Sequence, residues 1–339
     1  METAVSVALC THNGARYVGA QLRSILGQTR PVMEVIVSDD GSADDTVEIV
    51  RRVFAEAGHA GAAVPPLILI QNERAIGVTA NFAGAVAACR GSLIVLSDQD
   101  DVWHADRIER AVREFELRPA LTLLNSDARI VDECGEPTGA TLLESLELSP
   151  EDRATIHAGE GFDVLIRRNV VTGATTMFRR ELLDSALPFP SEWVHDEWLA
   201  VIASAVGRTD FVEGSLIDYR RHERNQIGVR DPSLRHKMRR VLEPRGQRNI
   251  GLADRSQILA DRLVDLAPAA SRRTIERASG KARFERERAE FPRNRARRVV
   301  PVIRQAVTGG YKTYASQGVL DILRDLLQPD PRTAGGVTP

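Results

Sequence analysis

Lysine is almost missing from this chain of 339 residues: Lys237, Lys281 and Lys312 are the only three among 45 lysines and arginines. None precedes position 237, so the first two-thirds holds no P-loop, no kinase-type phosphate lysine and no Schiff-base nucleophile. Any phosphate bound there falls to a metal, to arginine or to backbone amides. Cysteine is scarce as well. Cys10, Cys89 and Cys134 are odd in number, far apart and outside any Cys-x-x-Cys pair, which argues against a disulfide framework or a zinc site and fits a reducing cytoplasm. Long apolar runs are absent: no stretch approaches the ~20 residues of a membrane span, and Glu2 stands where a leader would be basic. The expected protein is soluble and cytoplasmic, or peripheral at the inner face of a membrane. A net charge of -2 and a pI of about 6.4 leave no electrostatic footprint for nucleic acid.

What is present is enough apolar material for a full core, 43% hydrophobic against 27% charged residues. Short apolar runs at Val5–Cys10, Met33–Val37, Leu67–Ile70 and Leu93–Leu96 alternate with segments of helical spacing. These segments are Val18–Leu26, a helix opened by Asp44 and Asp45 with Val47, Val50, Val53 and Phe54 on one face, and Thr79–Cys89. Such a βαβαβαβ series predicts a mostly parallel, right-handed α/β sheet. After a helix at Ile108–Leu117 the rhythm changes: strands are expected at Leu121–Asn125, Ala128–Val131, Val170–Phe178, Arg208–Val212 and Leu216–Tyr219, with a helix at Glu197–Val206. From Asp231 the chain reads as helical and rich in arginine.

The most informative segment is Leu93-Ile-Val-Leu-Ser-Asp98-Gln-Asp100-Asp101-Val-Trp103. An apolar strand buried on both faces delivers three carboxylates to its carboxyl end, the edge where open α/β sheets bind ligands. Left alone the acids repel and resist desolvation; a divalent cation with hard oxygen preferences offsets both costs. This pattern predicts a Mg²⁺ or Mn²⁺ site for a phosphorylated substrate. The alternative is an acidic turn in which Asp101 or Ser97 caps the next helix. The strand ending at Val37 also leads into paired acids, Asp39 and Asp40. In a parallel sheet both pairs reach one edge, where they suit a pocket for a base, a ribose and a metal-diphosphate.

Several blocks together resemble glycosyltransferase family 2, inverting enzymes of the GT-A fold: Val5–Gly14, Gln28-Thr29, Val37–Thr46, Asp98–Trp103, Thr172–Thr175, His195–Trp198 and Leu216–His222. They cover roughly residues 5 to 228, and the last three are similar to its bacterial rhamnosyltransferase-like branch. The resemblance implies a GT-A nucleotide-diphospho-sugar transferase fold with a mixed, mostly parallel sheet. It assigns 1–128 to the nucleotide-sugar half, 129–230 to the acceptor half of the same domain, and 231–339 to a helical, arginine-rich appendage. It further implies that Asp39 and Asp40 hold the nucleotide with Thr11 and Asn13 lining the pocket. Asp98 and Asp100 form the Asp-x-Asp pair on the donor and its Mg²⁺ or Mn²⁺, His222 closes the metal site, Asp196 is the catalytic base, and Gly173 and Trp198 meet the acceptor. The implied reaction moves one sugar, rhamnose in that branch, from a nucleoside-diphosphate donor to a glycan or lipid-linked acceptor.

Rival readings remain on each segment. Asp196 and Glu197 could simply open a helix, and a lone His222 amid Arg220, Arg221 and Arg224 could be an ordinary polar contact. A phosphotransferase with Asp98 as nucleophile would need its acids after the first strand and a downstream lysine in the same domain, and neither is present. A processive synthase would carry Gln-x-x-Arg-Trp, and Trp103, Trp193 and Trp198 lie outside such a motif. A catalytically silent nucleotide-sugar-binding or scaffold protein on the same fold is the alternative from another class. The basic stretch around Arg286–Arg298, followed by Val299–Ile303, suits an anionic membrane surface, a solvated helix pair or a homo-oligomeric contact.

Overall fold

The computed structural model describes residues 3–59, 63–222 and 247–329. The chain divides into two compact units, residues 1–161 with 170–229, and residues 162–169 with 230–339.

The first unit opens with β1 (Val5–Thr11), α1 (Val18–Leu26), β2 (Glu34–Asp39), α2 (Thr46–His59), β3 (Leu67–Gln71), α3 (Val78–Ala88) and β4 (Leu93–Ser97). Strands β1, β2 and β4 are buried at every position, which explains why they read as continuous apolar runs rather than alternating ones. The pleat divides their side chains between two layers. Val5, Val7 and Leu9 of β1, Val35 and Val37 of β2, and Leu93 and Val95 of β4 share one core with Leu22 and Ile25 of α1 and Val50 and Val53 of α2. On the other face α3 packs against β1 and β2, bringing the buried Phe82, Ala85 and Val86.

The unit continues with β5 (Val102–Trp103), α4 (Arg107–Leu117), β6 (Leu121–Val131), β7 (Pro137–Thr141), α5 (Leu142–Ser145), α6 (Pro150–His157), α7 (Gly161–Leu165, which runs into the second unit), β8 (Thr176–Arg179), α8 (Leu183–Ala186), α9 (His195–Val206) and β9 (Arg208–Arg220). One mixed sheet runs in the order β3-β2-β1-β4-β8-β6-β9-β5, with β7 paired to β6. β3, β2, β1 and β4 are mutually parallel, whereas β8 runs antiparallel to both β4 and β6. From β1 the chain moves outward to β2 and later returns to the opposite side as β4, so a crevice opens at the carboxyl ends of these strands.

Three expected elements differ in the structure. The two strands foreseen within 121–131 are one, because the polar run that looked like a break is paired in place: Asn125 Nδ2 donates to Thr176 Oγ1 at 2.8 Å, and Asp127 Oδ1 accepts from Leu143 N at 2.9 Å. The two foreseen within 208–219 are also one; Glu213 and Gly214 bulge between the pairs Ser126–Val212 and Asp127–Ser215 rather than turning the chain. Of the strand foreseen at Val170–Phe178 only its end forms. A 3₁₀ turn occupies Gly173–Thr175, since Gly173 N–H is spent on Asp196 and not on a ladder.

In the second unit, residues 162–169, which the sequence did not single out, belong with the helical C-terminal region. Arg273 and Arg277 both pair with Asp163 at 2.9 Å. Its helices are α10 (Arg248–Asp265), α11 (Arg272–Ala289), α12 (Arg295–Val307), α13 (Gly310–Tyr314) and α14 (Val319–Leu327). A small apolar core of Phe284, Phe291, Val302, Tyr311 and Ala315 adjoins a buried ionic network. Arg288 donates to Asp325 through Nε at 2.6 Å and Nη2 at 3.2 Å and to Glu285 at 2.8 Å, Lys281 pairs with Glu285 at 2.7 Å, and Tyr311 donates to Asp325 at 2.7 Å.

Candidate active site

The carboxyl ends of β1, β2 and β4 are tied together before any ligand is considered. Gln99, between the two aspartates that follow β4, accepts from His12 N at 2.9 Å and donates to His12 O at 3.1 Å. A Cβ at residue 14 would collide with Gln99 Oε1, so Gly14 is what lets the two loops close on each other. Gln99 is a lone glutamine between acids, a position that no sequence pattern marks.

Asp39 and Asp40 emerge side by side at the end of β2, and both are buried. Asp39 Oδ1 accepts from Thr11 Oγ1 at 2.7 Å and Ser42 Oγ at 2.6 Å, and Oδ2 accepts from Ser42 N at 2.9 Å. Thr11 is buried and acts here by orienting Asp39. Asn13 is exposed in a left-handed conformation with φ 49° and accepts from Ala43 N at 2.9 Å. Asp40 accepts from Asn72 Nδ2 at 3.0 Å, Ile76 N at 2.8 Å and Gly77 N at 2.9 Å. It therefore pins the 72–77 loop, a task invisible in sequence because its partners lie over thirty residues away. Gly41, at φ 67°, backs onto that loop where a Cβ would meet Ala75 N at 3.0 Å.

Beyond β4 the acids crowd. Burial, with repulsion from Asp100 and Asp196, pushes Asp98 up to about 7. Asp101 is buried and raised well above the usual carboxylate range by burial and by Asp100 and Asp98; its Oδ1 accepts from Arg220 N at 3.0 Å while Oδ2 has no protein partner. Asp100 Oδ2 lies 2.8 Å from His222 Nε2, and the His222 ring stacks on Tyr17 at 5.1 Å. Arg220 donates from Nε to Asp100 O at 2.9 Å and from Nη1 to Glu133 O at 3.0 Å, and so fixes this loop from behind. Among the described residues no three His, Cys, Asp or Glu side chains gather closely enough to cage a metal by themselves.

One buried cation faces this cluster. Arg107, in the first turn of α4, donates to Ala174 O at 2.8 Å and lies 4.0 Å from the Trp103 ring centroid, while its Nη1 has no protein partner. Burial lowers it to about 9 against the pull of Asp101 and Asp98. A signal did exist in the sequence: a positive charge at a helix N-terminus opposes the macrodipole, and it belongs there only if acids lie ahead of it.

Asp196 sits in the first turn of α9. Its Oδ2 accepts from Gly173 N at 2.9 Å and its Oδ1 from Glu197 N at 2.6 Å, and burial raises it to about 6 despite these bonds. Next to it His195 is buried, stacked on Phe82 with centroids 3.9 Å apart, and held neutral by burial at about 3. Neither ring nitrogen of His195 has a protein partner. A Cβ at Gly173 would stand 3.0 Å from His195 Nε2 and 3.7 Å from Asp196 Oδ2. Asp98, Asp100, Asp101 and Asp196 all act on the buried Tyr219 hydroxyl, which burial and these four charges raise. Trp198 lies in the core beside the site. It is 0% exposed, with its indole donating to Ala186 O at 2.8 Å and its ring packed on Trp193, because the helical period turns it from Asp196 into the core.

The family model for glycosyl transferase family 2 matches residues 6–185. The chain belongs to this family. It is 24% identical over 227 residues to an uncharacterized glycosyltransferase of Nostoc sp., an alignment covering 65% of this chain and 66% of that protein. Among solved structures, S. aureus TarS 1-349 in complex with UDP-GlcNAc superimposes with a TM-score of 0.52 at 17% identity, covering 96% of this chain and 90% of that one. The mannosyltransferase PcManGT from Pyrobaculum calidifontis, in complex with GDP-Man and Mn²⁺, gives 0.51 at 19% identity over 96% and 86%. These likenesses carry the fold, and the chain spans 66% of the length of that Nostoc relative and 59% of mycobacterial relatives it also matches.

Proposed function

We propose that this family 2 chain transfers a single sugar from a nucleoside-diphosphate donor to an acceptor hydroxyl, with inversion and with a divalent ion. The observation that carries the reading is the crowding of Asp98, Asp100 and Asp101 at the end of β4, which raises Asp98 to about 7. Acids so placed are costly in the free protein, and a cation with oxygen preferences relieves them. The residues fit such an ion: Asp98 and Asp100 offer hard oxygens, His222 stands at Asp100, and the lack of a complete cage among the described residues suits a metal that takes its other ligands from phosphates and water. When bound, Mg²⁺ or Mn²⁺ neutralises charge growing on the departing diphosphate. Two structural neighbours named with UDP-GlcNAc and with GDP-Man and Mn²⁺ support this donor class.

The protein's own groups supply the rest. Asp39, held by Thr11 and Ser42, presents a carboxylate at the base and ribose end of the crevice, and Asp40 holds the 72–77 loop beside it. Asp196 takes the proton of the acceptor hydroxyl as its oxygen attacks the anomeric carbon. The bond from that carbon to the diphosphate oxygen breaks, and the electron pair leaves with the diphosphate. Direct displacement needs one base and no covalent intermediate. Rhamnose is the donor sugar suggested by the Thr172–Thr175 and His195–Trp198 blocks, and a glycan or lipid-linked sugar is the acceptor class.

The test is a panel of nucleotide sugars, dTDP-rhamnose, UDP-GlcNAc and GDP-mannose among them, in thermal unfolding with Mn²⁺ or with chelator, followed by assay of nucleoside-diphosphate release. A donor that raises the melting temperature only with metal, and is then cleaved, is the expected result. Protection without release identifies a silent sugar-nucleotide-binding protein, and protection by none of the panel overturns the proposal.

A further inference from the structure

The helix α12 is amphipathic the wrong way round for a helix that only packs. Its inward row is Arg298, Val302 and Gln305; Arg298 and Val302 are each 1% exposed. The Arg298 guanidinium is consumed by the chain itself, donating to Pro292 O at 2.6 Å, Arg293 O at 2.7 Å and Gln328 O at 2.8 Å. The opposite row, at the i, i+4, i+7, i+11 spacing of a single helical face, is Ala296, Val300, Ile303 and Val307. Val300 is 75%, Ile303 54% and Val307 81% exposed. Exposed Arg297 and Arg304 flank this stripe on one side, Arg304 donating to Glu287 at 2.8 Å, and exposed Arg295 lies on the other. From Phe291 to Leu320 the sequence contains no aspartate or glutamate at all.

We infer that the outward face of α12 docks on the surface of an anionic lipid bilayer, with Val300, Ile303 and Val307 in the acyl boundary and Arg295 and Arg297 among the headgroups. Charge selects this occupant. An exposed valine and isoleucine stripe gains by leaving water, but a second copy related by a two-fold axis would bring arginine rows against arginine rows. A negatively charged interface offers both the apolar layer and the counter-charge. Among the described residues no helix is long and apolar enough to cross a membrane, so the contact lies in the interface plane. This inference is independent of the transfer reaction proposed above.

The experiment is flotation of the full chain with mixed phosphatidylglycerol–phosphatidylcholine vesicles against pure phosphatidylcholine vesicles, at low and high salt. The protein is expected on the anionic vesicles only, and to leave them as salt rises. Arg295→Gln with Arg297→Gln should lower partitioning about thirty-fold, at the worth of two interfacial arginines. Val300→Ser with Ile303→Ser should lower it at least about tenfold. Unchanged melting curves would show these variants folded. Binding to neither vesicle, or equal binding by wild type and the arginine pair, overturns the inference. So does a dimer in sedimentation equilibrium that Val300→Ser with Ile303→Ser dissolves, since the stripe would then be covered by a second copy. Nucleotide-sugar binding measured on the same samples reports separately on the active site.

Discussion

The proposed base is a single carboxylate, so its removal should separate binding from chemistry. Asp196 accepts from Gly173 N and Glu197 N, which leaves it oriented yet raised to about 6 by burial. As a base it works only when ionised. The transfer rate should therefore rise with pH along a limb centred near 6 and level off above it, read from kcat at saturating donor. Asp196→Asn should lower transfer by roughly 10² to 10⁴, the usual weight of general base catalysis, with donor affinity unchanged in titration calorimetry; near-normal transfer would move the base to Glu197. Gly173→Ala tests the same geometry from the other side. Its Cβ would press on His195 Nε2 at 3.0 Å beside Asp196, so kcat should fall about tenfold through a misplaced base while the donor KM holds. A fall in donor affinity instead would place Gly173 on the donor side.

At the level of elements, what the sequence shows best is the βα alternation of the first hundred residues, where every buried strand is an apolar run and every helix has a one-sided face. It shows least where polar residues are buried. Ser126 and Asp127 read as a break and are the middle of β6, where Leu143 N of α5 donates to Asp127 and Thr176 of β8 pairs with the neighbouring Asn125. The arginines of α11 and α12 misled in the same way. Arg288 and Arg298 are each 1% exposed, so two of the six arginines in the stretch Arg286–Arg298 belong to the interior of the second unit. Arg288→Ala would strand Asp325 without its cation and leave Glu285 with Lys281 alone, and breaking a buried pair from one side costs about 3–5 kcal/mol. Calorimetry should show the second unit melting early while donor-dependent protection of the first persists. A single unshifted transition would mean that the network contributes little.

Across the whole molecule, stability carries the imprint of the site. Asp98, Asp101 and Asp196 are all raised, each first by burial. The folded state therefore holds protons that an unfolded carboxyl releases near pH 4. Their contribution to stability is full below about pH 4 and is lost as pH climbs through 6 to 7. Asp44 and Asp218, lowered despite burial by bonds from Thr46 and Ala15 and from Arg129 and His104, act in the opposite sense only as pH falls below that point, and His195, lowered to about 3 by burial, offsets part of the gain below about pH 6.5. Metal-free protein should thus melt at a higher temperature at pH 5.5 than at pH 8, measured by differential scanning calorimetry. Asp98→Asn should shrink the difference by removing the charge, and an identical pH profile in that variant would refute the assignment. Saturating Mn²⁺ with donor should also shrink it.

By itself the sequence determined the family, the α/β class and which residues stand at the ends of β2 and β4. These are local facts: a buried parallel strand must be apolar, and acids that follow it must emerge at its carboxyl edge. Only the tertiary structure decided what each of those residues touches. Asp40 pins a loop over thirty residues away, Gln99 joins two strand ends, Arg107 faces the acids from the next helix, and Trp198 turns inward from the base. The outward stripe of α12 likewise exists only because Arg298 faces in. Hydrogen bonding and burial depend on which distant segments meet, and side-chain pattern along the chain carries no record of that meeting.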